Sequence, residues 1–184
     1  AAPGWLAGLK DEALLTRVEK LKKWLGTAPP KNDFDRVLKL QLAHYLPEVV
    51  PAPDRDAALA LLSSKQHKDG GWCIRDFSAL NDWHFEMSAT VTKLIKGLPD
   101  AAQPESDPYM TALAVVLMRQ SNVPASDPRV QRALAWLRGE QRETGRWWMQ
   151  SLYRGNYFYI TYIATAQALK AFALCDELPA VAKN

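Results

Sequence analysis

The sequence predicts an all-α fold, an α/α toroid of about seven helices in an inner and an outer layer. Three observations carry that expectation. Apolar residues recur at helical spacing and no stretch alternates convincingly between apolar and polar, so strands are not expected. The helical segments fall into two classes, amphipathic and apolar nearly all round. Finally, one short motif, Gln-x3-Gly-x-Trp, occurs twice with its copies 75 residues apart, as Gln66 to Trp72 and Gln141 to Trp147. A period of several tens of residues is the mark of a repeat architecture.

The amphipathic class comes first. From Asp11 to Leu25, Leu14, Val18, Leu21 and Leu25 share a face while lysines and glutamates cover the other. The segment from Asp54 to Gln66 turns Ala58, Leu59 and Leu62 inward, and the one from Asp127 to Gln141 does the same with Val130, Leu134 and Leu137. Each can bury one stripe only. The second class contains Thr111 to Met118 and Ile160 to Leu174, with Phe34 to Leu46 and Met87 to Leu98 intermediate. A helix that is apolar on every face needs neighbours on every side, which an inner layer supplies.

Helix starts are marked by Asp107-Pro108 and Asp127-Pro128, a carboxylate cap followed by proline at the first helical position, and Asp54 is expected to open a third. Pro29-Pro30, Pro47 to Pro53 and Pro99 to Pro104 read as connectors. No domain boundary is visible, so residues 1–184 read as one domain.

Composition narrows the function classes. Apolar residues make up 48% and charged residues 23% of 184, and the net charge is +3, with no basic run interleaved with aromatics. Nucleic acid is therefore not an expected partner. Cys73 and Cys175 form neither a disulfide framework nor a C-x-x-C pair. The apolar stretch from Tyr157 to Cys175 approaches the length of a membrane span but carries Lys170 and Gln167, so it reads as a buried helix of a soluble or membrane-peripheral protein.

An outer amphipathic helix, a Gln-x3-Gly-x-Trp turn and an apolar inner helix together resemble the QW repeats of squalene–hopene and oxidosqualene cyclases. Protein prenyltransferase β subunits share the same α/α toroid. The stretch from Asp107 to Cys175 is the closest match and Asp54 to Trp72 a second, so strong resemblance covers about half the chain. It implies that Gln66, Gly70, Trp72, Gln141, Gly145 and Trp147 are structural clamps between repeats rather than chemical groups. Seven helices would make an incomplete toroid. That implies a longer parent chain, closure with a second copy, or capped ends.

The cyclases' alkene-protonating acid is the central aspartate of Asp-x-Asp-Asp-Thr-Ala. The matching residues here are Asp107-Pro108-Tyr109-Met110-Thr111-Ala112, with Tyr109 at the acid position and Met110 at the last aspartate. A phenol cannot protonate an alkene. Asp107 is retained as a weak candidate acid, with capping as a sufficient role.

Other constellations fall short. Cys73, Asp76 and His84, near Asp82 and Glu86, have metal-compatible side chains, but C-x2-D-x7-H is not a ligand spacing, so no metal and no cofactor is expected. Arg138-Gly139-Glu140-Gln141 is similar to the thioester motif of complement-like toroids without its cysteine. Aromatic residues are dense around the last inner helix, and Tyr109, Trp148, Tyr157, Tyr159 and Tyr162 form the expected lining for a hydrophobic, isoprenoid-type ligand, unless they simply pack a core. The expectation is a non-catalytic module that binds such a ligand or associates with itself or with other domains. Its alternatives are an isoprenoid cyclase with an unidentified acid and a dimerisation scaffold.

Overall fold

Four of the six helices among the described residues start at a residue whose side chain satisfies their first turn. In the computed structural model, which describes residues 8, 10–78, 90–91, 93–94, 105–150 and 159–178, Asp11 opens α1 (Glu12–Thr27) by accepting from the N–H groups of Ala13 and Leu14. Asn32 accepts from Asp35 N at 2.9 Å and opens α2 (Asp33–Tyr45). Asp107 and Asp127 cap α4 (Pro108–Gln120) and α5 (Pro128–Gly139) as their Asp-Pro pairs predict.

Asp54 departs from expectation. The helix it was to open, α3 (Ala52–Ser64), starts two residues earlier, behind Pro51 and without a side-chain cap. Proline at the second helical position lacks an N–H that needs a partner, so the helix can extend backward past Asp54. The Asp54 carboxylate instead pairs with Lys39 Nζ at 2.7 Å on α2. The sixth helix among the described residues is α6 (Tyr162–Leu174), which begins after Ile160 rather than at it. Tyr159–Ile160 form a two-residue antiparallel pair with Met149–Gln150, Met149 opposite Ile160. The fold is all-α apart from that short ladder.

The core sits around α4, whose residues from Met110 to Met118 are all buried. It packs against α2, α5 and α6, while α3 packs on α2. Helices α2, α4 and α6 thus lie in series, with α3 against α2 and α5 against α4. Both α4 and α6 end the same way. Asn122 and Asp176 take left-handed φ angles of 63° and 59°, and the next residue donates to the carbonyl five residues back, Val123 N onto Met118 O and Glu177 N onto Phe172 O.

The two Gln-x3-Gly-x-Trp turns share one set of internal and clamping bonds. The indole Nε1–H of Trp72 donates to Leu62 O at 2.8 Å, and that of Trp147 to Leu137 O at 2.7 Å, each the carbonyl ten residues back in the preceding outer helix. The backbone N–H of each tryptophan donates to a threonine on the next inner helix, Thr111 Oγ1 at 2.9 Å and Thr165 Oγ1 at 3.1 Å. Gln66 Nε2 and Gln141 Nε2 close their own turns onto Gly70 O and Gly145 O. Both glycines have positive φ, 98° and 76°. Each turn therefore ties the helix before it to the helix whose threonine it meets, α3 to α4 and α5 to α6.

The turns differ in what covers them. Gln66 Nε2 also reaches Arg129 O at 2.9 Å in the first turn of α5, and its Oε1 accepts from Arg132 at 2.7 Å. Gln141, Arg142, Glu143, Thr144, Gly145 and Arg146 are exposed. The helices at the two ends of the series are likewise open. α1 has no buried residue, with Leu21 54% and Trp24 62% exposed, and Val18 and Leu25 of its predicted apolar stripe only half-buried. α6 buries Ala164, Ala168, Ala171 and Phe172 but leaves Tyr162, Ile163 and Leu169 outside, against the expectation of a helix enclosed on all sides.

The repeat supplies its own control for a stability measurement. A methyl group at Gly145 meets nothing closer than Gln141 Nε2 at 3.9 Å, whereas one at Gly70 lies 2.8 Å from Arg132 O. Gly145→Ala is expected to cost about 1 kcal/mol, for the positive φ alone. Gly70→Ala should cost about 3 kcal/mol, because the turn must also back away from α5. Chemical denaturation of the two variants checks this, and equal losses would contradict the docked geometry.

Candidate functional site

Asp107 caps α4 where that helix meets the first turn in space, 35 residues from Trp72 in the sequence. One carboxylate oxygen accepts from Met110 N at 2.7 Å, the other from Ile74 N at 2.7 Å, and its own N–H donates to Trp72 O at 2.8 Å. Burial pushes its carboxyl up to about 6, against the downward pull of the N–H groups of Met110, Ile74 and Tyr109. Protonating an alkene needs an acid stronger than an ordinary carboxyl, and burial makes this one weaker. Tyr109 beside it is half-buried, and its phenol is raised by burial and then by the Asp107 charge. The corner is built to hold a loop.

The predicted aromatic lining does not form an enclosed wall among the described residues. Tyr162 is 83% exposed at the start of α6. Trp148 is 41% exposed with the Arg142 guanidinium 4.8 Å above its ring. Trp147 is buried, 6.0 Å from the Phe172 ring, and serves the core. Tyr157 lies outside the described residues, as do Asp82, His84 and Glu86, and Tyr159 is placed only through its backbone pairing. Cys73 and Cys175 are buried free thiols, with burial pushing the Cys73 thiol up to about 12, far from a nucleophilic or metal-binding thiolate. Among the described residues no group of three metal-binding side chains converges, and no helix is long and apolar enough to cross a membrane.

The most connected polar cluster joins the first turn to the residue before Asp107. His67 Nε2 lies 2.6 Å from Asp76 Oδ2, and His67 Nδ1 lies 3.0 Å from Ser106 Oγ. Ser106 Oγ is also 2.9 Å from Asp69 Oδ1, which accepts from Gly71 N. Gly71 allows the approach, since a Cβ there would sit 2.5 Å from that of Ser106. Lys65 Nζ binds the backbone carbonyl of Asp76 and pairs with Asp33, fixing the short 3₁₀ turn Ile74–Asp76 that carries Asp76.

The expected site residues did not include Ser106, His67 or Asp69. A signal was nonetheless present in the two copies of the motif. Where the first turn has His67 and Asp69, the second has Arg142 and Thr144, with the same backbone bonds, His67 N to Gly71 O and Arg142 N to Arg146 O. The turn itself therefore requires neither side chain.

A cavity of about 530 Å³ opens at the other end of α4, lined by Leu40, His44, Arg55, Leu59, Arg119 and Gln120 among others. The buried Gln120 Oε1 has no hydrogen-bond partner among the described residues. Arg119 is already committed to Leu174 O and Val123 O. The sequence matches no protein-family model and no curated protein. The chemistry of the site therefore rests on its own geometry.

Asp107 gives a pH signature. Its folded-state value of about 6 exceeds the ordinary 3.8, so folding takes up a proton between the two. The contribution to stability is fully present below pH 4 and is lost as pH rises through 6. The stability difference between the wild type and Asp107→Asn should fall by up to about 3 kcal/mol between pH 4 and 7. Denaturation curves across that range check it; a flat difference would contradict it.

Proposed function

We propose that the chain is a squalene-cyclase-like repeat module of the α/α-toroid type, without cyclase activity, that works by stacking on a further helical unit. The observation that carries this reading is the contrast between the two turns. Gln66 and Gly70 receive the first turn of α5, while the same atoms of Gln141 and Gly145 face solvent. By analogy within the chain, the occupant is a helix that brings a first-turn carbonyl to Gln141 Nε2 and a donor to its Oε1. Its body covers Ile163 and Leu169 of α6. Repeat units bury their faces on neighbours. The exposed apolar residues of α1 at the opposite end extend the same logic.

The isoprenoid-ligand reading has less support, because Trp148 and Tyr162 are open to solvent. Cyclase chemistry is not part of the proposal, since Tyr109 and Met110 replace the two acids and Asp107 is a weakened acid.

With both end faces open, isolated chains are expected to associate head to tail. Sedimentation velocity over a hundredfold concentration range should show growing oligomers, and Leu169→Asp should leave a folded monomer. A wild-type protein that stays monomeric throughout would contradict the stacking reading. Formation of a cyclic product from squalene, lost in Asp107→Asn, would overturn the exclusion of cyclase activity.

A further inference from the structure

We propose that Ser106 is a nucleophile for acyl transfer from small carboxylic esters, with His67 as its general base and Asp76 positioning that base. This goes beyond the stacking role and does not depend on it. The three groups meet the geometric conditions for an activated hydroxyl. Oγ lies 3.0 Å from His67 Nδ1, and the opposite ring nitrogen lies 2.6 Å from Asp76 Oδ2. His67 and Asp76 are 30% and 27% exposed, so the relay opens to solvent rather than sitting in the core.

The second turn shows that the relay is additional to the fold. Arg142 and Thr144 occupy the places of His67 and Asp69 and the backbone bonds persist. A histidine bonded on both ring nitrogens, to a carboxylate on one side and a hydroxyl from 39 residues away on the other, is therefore not a requirement of the motif.

Asp69 modulates the nucleophile. Its Oδ1 lies 2.9 Å from the same Oγ, and a hydroxyl has one hydrogen, which serves either Asp69 or Nδ1. The arrangement with the hydrogen on the Nδ1 side is the reactive one. In the step itself, Oγ bonds to the ester carbonyl carbon as its proton passes to Nδ1. The carbon–oxygen bond to the leaving group breaks, and the alcohol departs with that proton. Water then attacks the acyl-serine by the same route in reverse, returning the hydroxyl and releasing the acid.

The test uses a fluorophosphonate probe on the whole chain, with mass spectrometry locating the adduct. Ser106 should gain the phosphonyl group with loss of fluoride, and Ser106→Ala should lose it. His67→Arg installs the residue that the second turn already carries, so the fold is retained, and labelling should slow about a hundredfold. Asp76→Asn should slow labelling and change its pH profile, while Asp69→Asn, which keeps an acceptor for Gly71 N, should speed it. Circular dichroism confirms that each variant is folded. An unlabelled Ser106 in the folded wild type would overturn the proposal. So would a rate unchanged by His67→Arg, or one lowered by Asp69→Asn.

Discussion

The indole-to-carbonyl bond made by Trp72 and again by Trp147 is the contact on which the layering rests. A buried indole removes roughly 200 Å² from water, worth about 5 kcal/mol before entropy. That gain is available only if the N–H finds a partner, since an unpaired buried donor costs about 1–3 kcal/mol. Leu62 O and Leu137 O supply the partner near the C-terminal ends of α3 and α5, where the last carbonyls of a helix lack intrahelical donors. The indole thus fills the core and finishes the outer helix in one placement.

The start of each inner helix depends on that placement. With the ring fixed, the backbone of each tryptophan lies against the inner helix, where Thr111 and Thr165 both accept from its N–H and approach its carbonyl. Both threonines sit four residues after the cap position, Asp107 in one case and Thr161 in the other. The caps differ: Asp107 bonds Met110 N and Ile74 N, whereas Thr161 makes no side-chain cap. The first repeat is therefore locked at a corner where the second is not. It is at the locked corner that Ser106, one residue before Asp107, is brought onto His67.

Much of this architecture is legible in the sequence, and the reason is locality. The Asp-Pro starts, the Gln-x3-Gly-x-Trp turns and the buried stripe of Val130, Leu134 and Leu137 are each decided within about one or two helical turns. The start of α3 is not legible, because Asp54 has a partner on another helix, Lys39, that no local rule supplies. The open faces of α1 and α6 are not legible either, since periodicity shows that a face is apolar and not whether a neighbour covers it. Ser106 and His67 are 39 residues apart, and only the mismatch between the two turns hints that His67 has work outside the repeat.

Hydrogen exchange at the tryptophan indoles, measured by NMR, bears most directly on the clamp. Trp72 and Trp147 have buried Nε1–H groups bonded to helix carbonyls, while Trp24 is 62% exposed. The expected result is that the Trp72 and Trp147 signals exchange only with global unfolding, at closely similar rates, while Trp24 exchanges at once. Rapid exchange at either clamp, at the rate of Trp24, would show that the indole bond does not hold the layers together and would contradict its central role.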